Sequence, residues 1–395
     1  MILGPVHVVR KKSSVRAEVQ IEFANGESEL LWYEFENCYA PYITTEVHDG
    51  FLVGVLLLAM KKGEDIRIEG AISEKLFYNL TSYYMDIVTV IIPHFRKVKI
   101  VPERLVDGSE IDTKGAVVTG FSAGIDSFCV IHDNAENIVP KNFSITHLIF
   151  NNVGSHGEWN QAKAEDIFES RYDLIRGFSQ DSGLDIIKIN SNLSEVLQMD
   201  FQQTHTPRNI SAVLMLQKLF SKYYYASAFS YEDITVKASK SMGQSDPCTV
   251  HLLSTELTEC IASGSQHSRV EKTKRVAKVP NSRNWLNVCV HPIDGGKNCS
   301  SCWKCNRTLM TLEIIGELEN YNRVFDLKRW KWSRKWYVPE VILNKNNTDP
   351  LTEEIRRLVH KENYIFQIKE KLLGALISVL PQRVYYSLKR VYQIF

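Results

Sequence analysis

Through the first 110 residues, apolar and polar positions alternate in short runs bounded by turn residues. Residues 17–35, AEVQIEF-ANGE-SELLWYEF, have the period-two pattern of a hairpin, with Asn25-Gly26 supplying its turn. VHVVR (6–10), IRIEG (66–70) and VTVIIPHFRKVKIVP (88–102) are further alternating segments. Between them, FLVGVLLLAMKKG (51–63) predicts a helix that ends at Gly63. These elements define an α+β N-terminal accessory domain over residues 1–112.

The pattern changes at about residue 113. Strand-like runs AVVTGF (116–121), THLIFNN (146–152), DIIKIN (185–190) and YYYASAF (223–229) now alternate with helical periodicity in 164–178 and 210–220. Strands alternating with helices predict an α/β fold, a mostly parallel sheet layered by helices on both faces. Ligands of such sheets bind beyond the carboxyl ends of the strands. This domain spans residues 113–330. Residues 331–395 form a helical C-terminal extension, rich in Trp, Lys and Arg at first, then helical in pattern up to a break at Pro381. A basic amphipathic end can lie on a membrane surface; packing on its own protein is the preferred reading.

Composition narrows the class. Hydrophobic residues are 44% and charged residues 24% of 395, enough to bury real cores. The net charge of +1, from 47 basic and 46 acidic side chains, argues against a chain built chiefly to grip nucleic acid. No apolar run approaches the roughly 20 residues that span a bilayer, and the first residues lack a signal layout. A cytoplasmic location is expected. A homodimer stays open.

Residues 119–127, TGFSAGIDS, place small residues, an acid and two hydroxyls where a strand ends and a helix begins. Helix-start N–H groups lack intrahelical partners and favour anions. Ser122, Ala123, Gly124, Ile125, Asp126 and Ser127 can therefore cradle a phosphate. Asp126 would repel that phosphate unless a divalent cation sits between them, so a magnesium-bound polyphosphate fits best. A plain turn with Asp126 or Ser127 capping the helix is the competing reading. No Gly-Lys-Ser/Thr follows, so this is not a Walker loop. Ala123 is tolerable if its φ stays negative.

Eight cysteines occur, and three of them form CSSCWKC: Cys299, Cys302 and Cys305. Cys289 lies upstream across a gap of nine residues, in the strand-like LNVCV (286–290). Four thiolates suit tetrahedral Zn²⁺, with Gly295-Gly296 turning the chain back. His291 is the alternative fourth ligand. Cys38, Cys129, Cys248 and Cys260 are isolated and are expected to fill small apolar spaces.

The loop resembles the Ser-Gly-Gly-x-Asp-Ser pyrophosphate loop of the ATP pyrophosphatase (PP-loop) superfamily, with Ala123 replacing the usual first Gly. Together with the cysteine set, it resembles the 7-cyano-7-deazaguanine synthases in particular, which also carry a Pro-x-Arg-Asn element. Here that element is Thr206-Pro207-Arg208-Asn209, without the spacer. The resemblance covers about residues 115–310. It implies a five-stranded parallel sheet, ATP and Mg²⁺ at the loop, and structural Zn²⁺ on the cysteines. It also implies adenylation of a small-molecule carboxylic acid, 7-carboxy-7-deazaguanine, with pyrophosphate release and then amide or nitrile formation. Asp126 and Arg208 would be catalytic, and Arg208, Asn209 and Asp246 would bind substrate. Relatives with comparable additions occur in anti-phage defence operons, which extends the implied acceptors to a protein amine.

Other polar groups have simpler explanations. Arg208 and Asn209 are expected to open a helix after Pro207, where they could present donors or merely cap. Asp246-Pro247 is also a common turn starter. Lys240, Ser245 and residues 254–256 belong to the loop that would enclose the substrate. Arg269, Lys272 and Lys274 could neutralise a leaving pyrophosphate or form a solvated helix face, Arg307 could fold towards it, and His205 could serve as acid or base. Two further readings remain: a PP-loop amidotransferase or thiolation enzyme acting on a sugar or tRNA base, and an inactive nucleotide-binding scaffold.

Overall fold

The computed structural model of the chain describes residues 1–156, 161–290, 293 and 296–379. These fall into two compact units: Met1–Ser122 with Asp126–Gln266, and Ala123–Ile125 with the chain from His267 onward.

The first unit contains one continuous sheet. Its strands are β1 (Ile2–Leu3), β2 (His7–Arg10), β3 (Ser14–Glu22), β4 (Ser28–Glu36), β5 (Ile66–Ser73), β6 (Ile100–Val106), β7 (Ala116–Gly120), β8 (His147–Asn152), β9 (Asp185–Ser191), β10 (Phe220–Ala226) and β11 (Glu259–Ser263). Across the sheet the order is β11-β10-β7-β8-β9-β4-β3-β1-β5-β6, with β2 paired outside β3. The first five strands of that order are mutually parallel. The expected hairpin is present as β3 and β4, in register from Ser14↔Glu36 to Glu22↔Ser28. Its outer strand then pairs antiparallel with β9, through Tyr33↔Ser191 and Glu34↔Asn190. The sheet thus runs straight across residue 112, where the sequence suggests a domain limit. The compact units divide after Gln266 instead.

Helices of this unit are α1 (Asp49–Lys62), α2 (Glu74–Asn79), α3 (Met85–Ile91), α4 (Ile125–Asp133, its first residue grouped with the second unit), α5 (Gln161–Ile175), α6 (Phe178–Ser182), α7 (Leu193–Leu197), α8 (Phe201–Leu214) and α9 (Asp246–Thr249). α1 is buried from Asp49 through Met60, as an all-round apolar helix must be, and Gly63 ends it in the left-handed conformation. It lies close against α8: a Cβ on Gly50 would sit 2.8 Å from the Ser211 carbonyl oxygen, and one on Gly54 would sit 3.6 Å from Ser211 Cβ. The alternation in 88–102 splits into two elements, because its first residues complete α3 and only Ile100 onward is strand. Val88 and Ile91 are buried three residues apart, on one helical face rather than on a strand.

The second unit is helical: α10 (Arg269–Val276), α11 (Ser282–Trp285), α12 (Trp303–Ile314), α13 (Leu327–Tyr337), α14 (Pro350–Lys361) and α15 (Ile368–Val379). A half-buried polar knot joins three of them. Glu313 of α12 accepts from Trp330 Nε1 at 2.8 Å and Arg334 Nε at 2.7 Å, and Arg334 also pairs with Glu370 of α15. The strand expected at 286–290 is irregular coil. Pro381 and residues 383–395 lie outside the described residues, as does His291. No helix among the described residues is long and apolar enough to cross a membrane.

Candidate functional site

In the parallel part of the sheet, chain order runs outward from β7 in both directions, through β8 and β9 on one side and β10 and β11 on the other. The carboxyl end of β7 is therefore the point where strand order reverses, the crevice where open α/β sheets bind ligands. The segment that leaves β7 there is residues 122–127. Phe121 before it and Phe128 after it are fully buried in a three-ring cluster with Phe178, which anchors the segment at both ends.

Within the segment, burial alternates. Ser122 is exposed and Gly124 and Asp126 are partly exposed, whereas Ala123, Ile125 and Ser127 are buried. Ala123 has φ of 55°, so the condition on which its methyl group would be harmless is not met. A left-handed alanine carries roughly 1–2 kcal/mol of strain. In the second unit, the Ala123 carbonyl accepts from the backbone N–H of Asn287 at 2.7 Å.

The Pro-Arg-Asn element does not open a helix. α8 begins at Phe201, capped by the Asp200 side chain, and Pro207 lies inside it. The helix starts early because Asp200 is a better cap than any residue nearer the proline, and Pro207 simply omits one ladder donor. Arg208 is 1% exposed and turned inward. Its Nε donates to Thr204 Oγ1 at 2.6 Å, Nη1 to the Val153 carbonyl at 3.1 Å and Ser194 Oγ at 3.3 Å, and Nη2 to the Met199 carbonyl at 2.7 Å. Burial lowers its pKa to about 10, which still leaves it charged at neutral pH. It clamps the turn after β8, where Gly154 has φ of 117° and a Cβ would lie 2.5 Å from Arg208 Nη1.

Other polar groups gather at the same strand ends. Asn209 stands one turn beyond His205 on α8, its Nδ2 bonded to the His205 carbonyl at 2.8 Å and its Oδ1 facing Asn151 Nδ2 at 3.4 Å. Tyr225, near the end of β10, places its hydroxyl 2.5 Å from His205 Nδ1, and Thr206 Oγ1 lies 3.1 Å from the same nitrogen. Burial first, then the Asp246 carboxylate, holds the Tyr225 phenol well above its ordinary pKa; Asp126 acts in the same direction. Burial, reinforced by Arg208, pushes His205 down to about 4. The contact is thus one between a neutral phenol and a neutral imidazole. Asp246 is 1% exposed at the start of α9 and accepts from Thr206 Oγ1 at 2.6 Å. The expected Asp126, His205, Asn209 and Asp246 therefore share one neighbourhood with Tyr225 and Asn151. Those last two were missed, although Asn151 and Asn152 are consecutive amides closing a predicted strand. Lys240 lies apart, on a surface hollow with Gln203 and His94.

In the second unit, the four expected cysteines converge, with all four sulfurs within 4.8 Å of one another. Cys289 and Cys302 Sγ are 3.9 Å apart, and Cys299 and Cys305 Sγ 4.0 Å. Tetrahedral bonds of about 2.3 Å require sulfurs about 3.8 Å apart, so the set could bind a metal ion such as zinc. The N–H of Cys299 points at Cys289 Sγ (3.3 Å) and that of Cys302 at Cys299 Sγ (3.2 Å), contacts that favour thiolates. Ser300 makes the knuckle with φ of 57°. Of the remaining cysteines, Cys260 is a buried filler, Cys129 is buried but gives its thiol to Asp133 Oδ2 at 3.6 Å, Cys248 is half-buried and Cys38 is exposed. Lys272 is fully buried rather than on a solvated face, Lys274 pairs with Glu362 at 2.5 Å, and Arg307 lies over the Trp303 ring at 4.8 Å.

No protein-family model, curated protein or solved structure matches the chain.

Proposed function

We propose that the protein is an ATP-dependent, carbon–nitrogen bond-forming enzyme of the PP-loop type. What chiefly supports this reading is the position of residues 122–127 at the strand-order reversal of a parallel sheet, with strands in the order expected of a nucleotide-binding fold. Backbone N–H groups at the start of α4 and the Ser122 and Ser127 hydroxyls would hold the β- and γ-phosphates, and Asp126 would hold Mg²⁺, which supplies charge neutralisation. A substrate carboxylate oxygen attacks the α-phosphorus and the bond to pyrophosphate breaks. A nitrogen nucleophile then attacks the acyl carbon, loses its proton and expels AMP, leaving an amide. Positioning and charge stabilisation carry such a reaction.

The acid proposed is 7-carboxy-7-deazaguanine, with ammonia or a protein amine as acceptor, on the resemblance given above. Arg208 serves as a positioning residue through the 153–154 turn, and Asp246 as a buried acceptor near the substrate. The cysteines hold structural zinc. The scaffold reading draws on one observation, the strained Ala123. Incubating the protein with Mg-ATP, 7-carboxy-7-deazaguanine and ammonia should yield AMP and pyrophosphate, and Asp126→Asn should abolish both. Absence of AMP with every acceptor tried, including proteins encoded beside it, would overturn the enzyme reading in favour of the scaffold.

A further inference from the structure

Two hydrogen-bonding positions at the carboxyl ends of β8 and β10 are left over when the internal bonds of the first unit are assigned. Asn209 Nδ2 is committed to the His205 carbonyl, so Asn209 Oδ1 must face Asn151, and Asn151 must present its Nδ2 in return. That turns Asn151 Oδ1 the other way. The residue is 7% exposed, and this oxygen has no protein partner. A buried acceptor left unpaired is destabilising, so it calls for a donor from outside the chain.

The second position is on His205. The Tyr225 and His205 rings are 7° from parallel with centroids 6.2 Å apart, while O and Nδ1 are 2.5 Å apart. A hydrogen bond that short at that centroid distance places the rings edge to edge in nearly one plane, not face to face. With the Tyr225 hydroxyl donating to Nδ1, the imidazole proton sits on Nε2. Among the described residues, Nε2 makes no hydrogen bond. His205 and Asn209 are four residues apart on one face of α8, about 6 Å along its axis. The ring of Phe201 lies 6.0 Å from His205 on the same helix face.

We infer that Asn151 Oδ1 and His205 Nε2–H form an acceptor–donor pair that binds the edge of a flat nitrogen heterocycle, one presenting an N–H beside a lone pair. Phosphate and carboxylate lack the N–H that Asn151 demands, and a metal cation would meet the His205 proton. Asn209 and Tyr225 are positioning residues that fix the amide and the tautomer. The inference rests on the reading of these strand ends as the active site. Two sources carry this edge, the adenine of ATP and the ring of the acid substrate.

Titration calorimetry on the full chain tests it, with adenosine, 7-carboxy-7-deazaguanine and magnesium pyrophosphate as separate probes. Asn151→Leu and His205→Phe should each weaken one of the two heterocycles about tenfold or more, and the probe affected names the source. Both variants should bind magnesium pyrophosphate like the unaltered protein. Tyr225→Phe should weaken the same heterocycle without changing magnesium pyrophosphate. If Asn151→Leu does not fold, His205→Phe, at a partly exposed position, decides alone. Unchanged affinity for both heterocycles in the folded variants, or no heterocycle binding by the unaltered protein, overturns the inference. Failure of the loop reading shows separately, as magnesium pyrophosphate affinity indifferent to Asp126→Asn.

Discussion

Ala123 and Gly154 are a matched pair of opposites. Each occupies left-handed backbone beside the strand ends, but only Gly154 is the residue that conformation favours. Ala123→Gly should therefore raise stability by about 1 kcal/mol, read as a shift in urea midpoint without a change in slope. Gly154→Ala should lower it by about 3 kcal/mol, because φ is 117° and the new methyl would strike the Arg208 guanidinium. His156 supplies a pH dependence. Its Nε2 bonds to the Asn151 carbonyl at 3.0 Å, and burial, then Arg171, lowers its pKa to about 3. In the unfolded chain that value is about 6.5. Between the two, the unfolded state binds the proton and the folded state does not, so stability present above pH 6.5 is lost as pH falls. At pH 5 the loss is about 2 kcal/mol. Urea unfolding at pH 7 and pH 5 should show a loss larger than this, because His205, held down to about 4, adds to it, and His156→Gln should shrink the loss by about 2 kcal/mol.

Among elements, those with strong local periodicity were legible. The hairpin, α1 and the runs that became β7, β8 and β9 stand where their patterns put them, whereas β10 begins at Phe220, three residues before its run, where a helix was expected. β11 was not named, since Glu259–Ser263 is a five-residue edge strand with little apolar contrast. α8 was started too late, because its apolar run begins at Ile210 while its cap is Asp200. The cysteine set was readable because spacing alone encodes it. The Asn151–Asn209–His205–Tyr225 chain was not, for it joins three elements that only the sheet order brings together. The closeness of α1 and α8 was also hidden, in two glycines that a helix would ordinarily avoid. Gly50→Ala should cost about 1–3 kcal/mol in thermal or urea unfolding, since the added methyl meets the Ser211 carbonyl at 2.8 Å and backbone cannot rotate aside.

For the whole molecule, the metal reading predicts one zinc per purified chain by elemental analysis. Cys302→Ser should lose that zinc and lower the melting midpoint, as should a strong chelator. The sheet carries a different consequence, one of timing. β4 is completed early in synthesis, but its partner β9 follows much later; the Trp32 N–H finds Asn192 Oδ1 160 residues downstream. At roughly 5–20 residues per second, a ribosome needs about 8–30 s to cover that distance. Throughout that interval the outer edge of the hairpin is an unpaired strand, the kind that recruits neighbouring chains. Its sequence, SELLWYEFE, carries Glu29, Glu34 and Glu36 along that edge. Glu34 is neutralised early by Lys11 and Arg16, so Glu29 and Glu36 are the charges that disfavour pairing with another chain until β9 arrives.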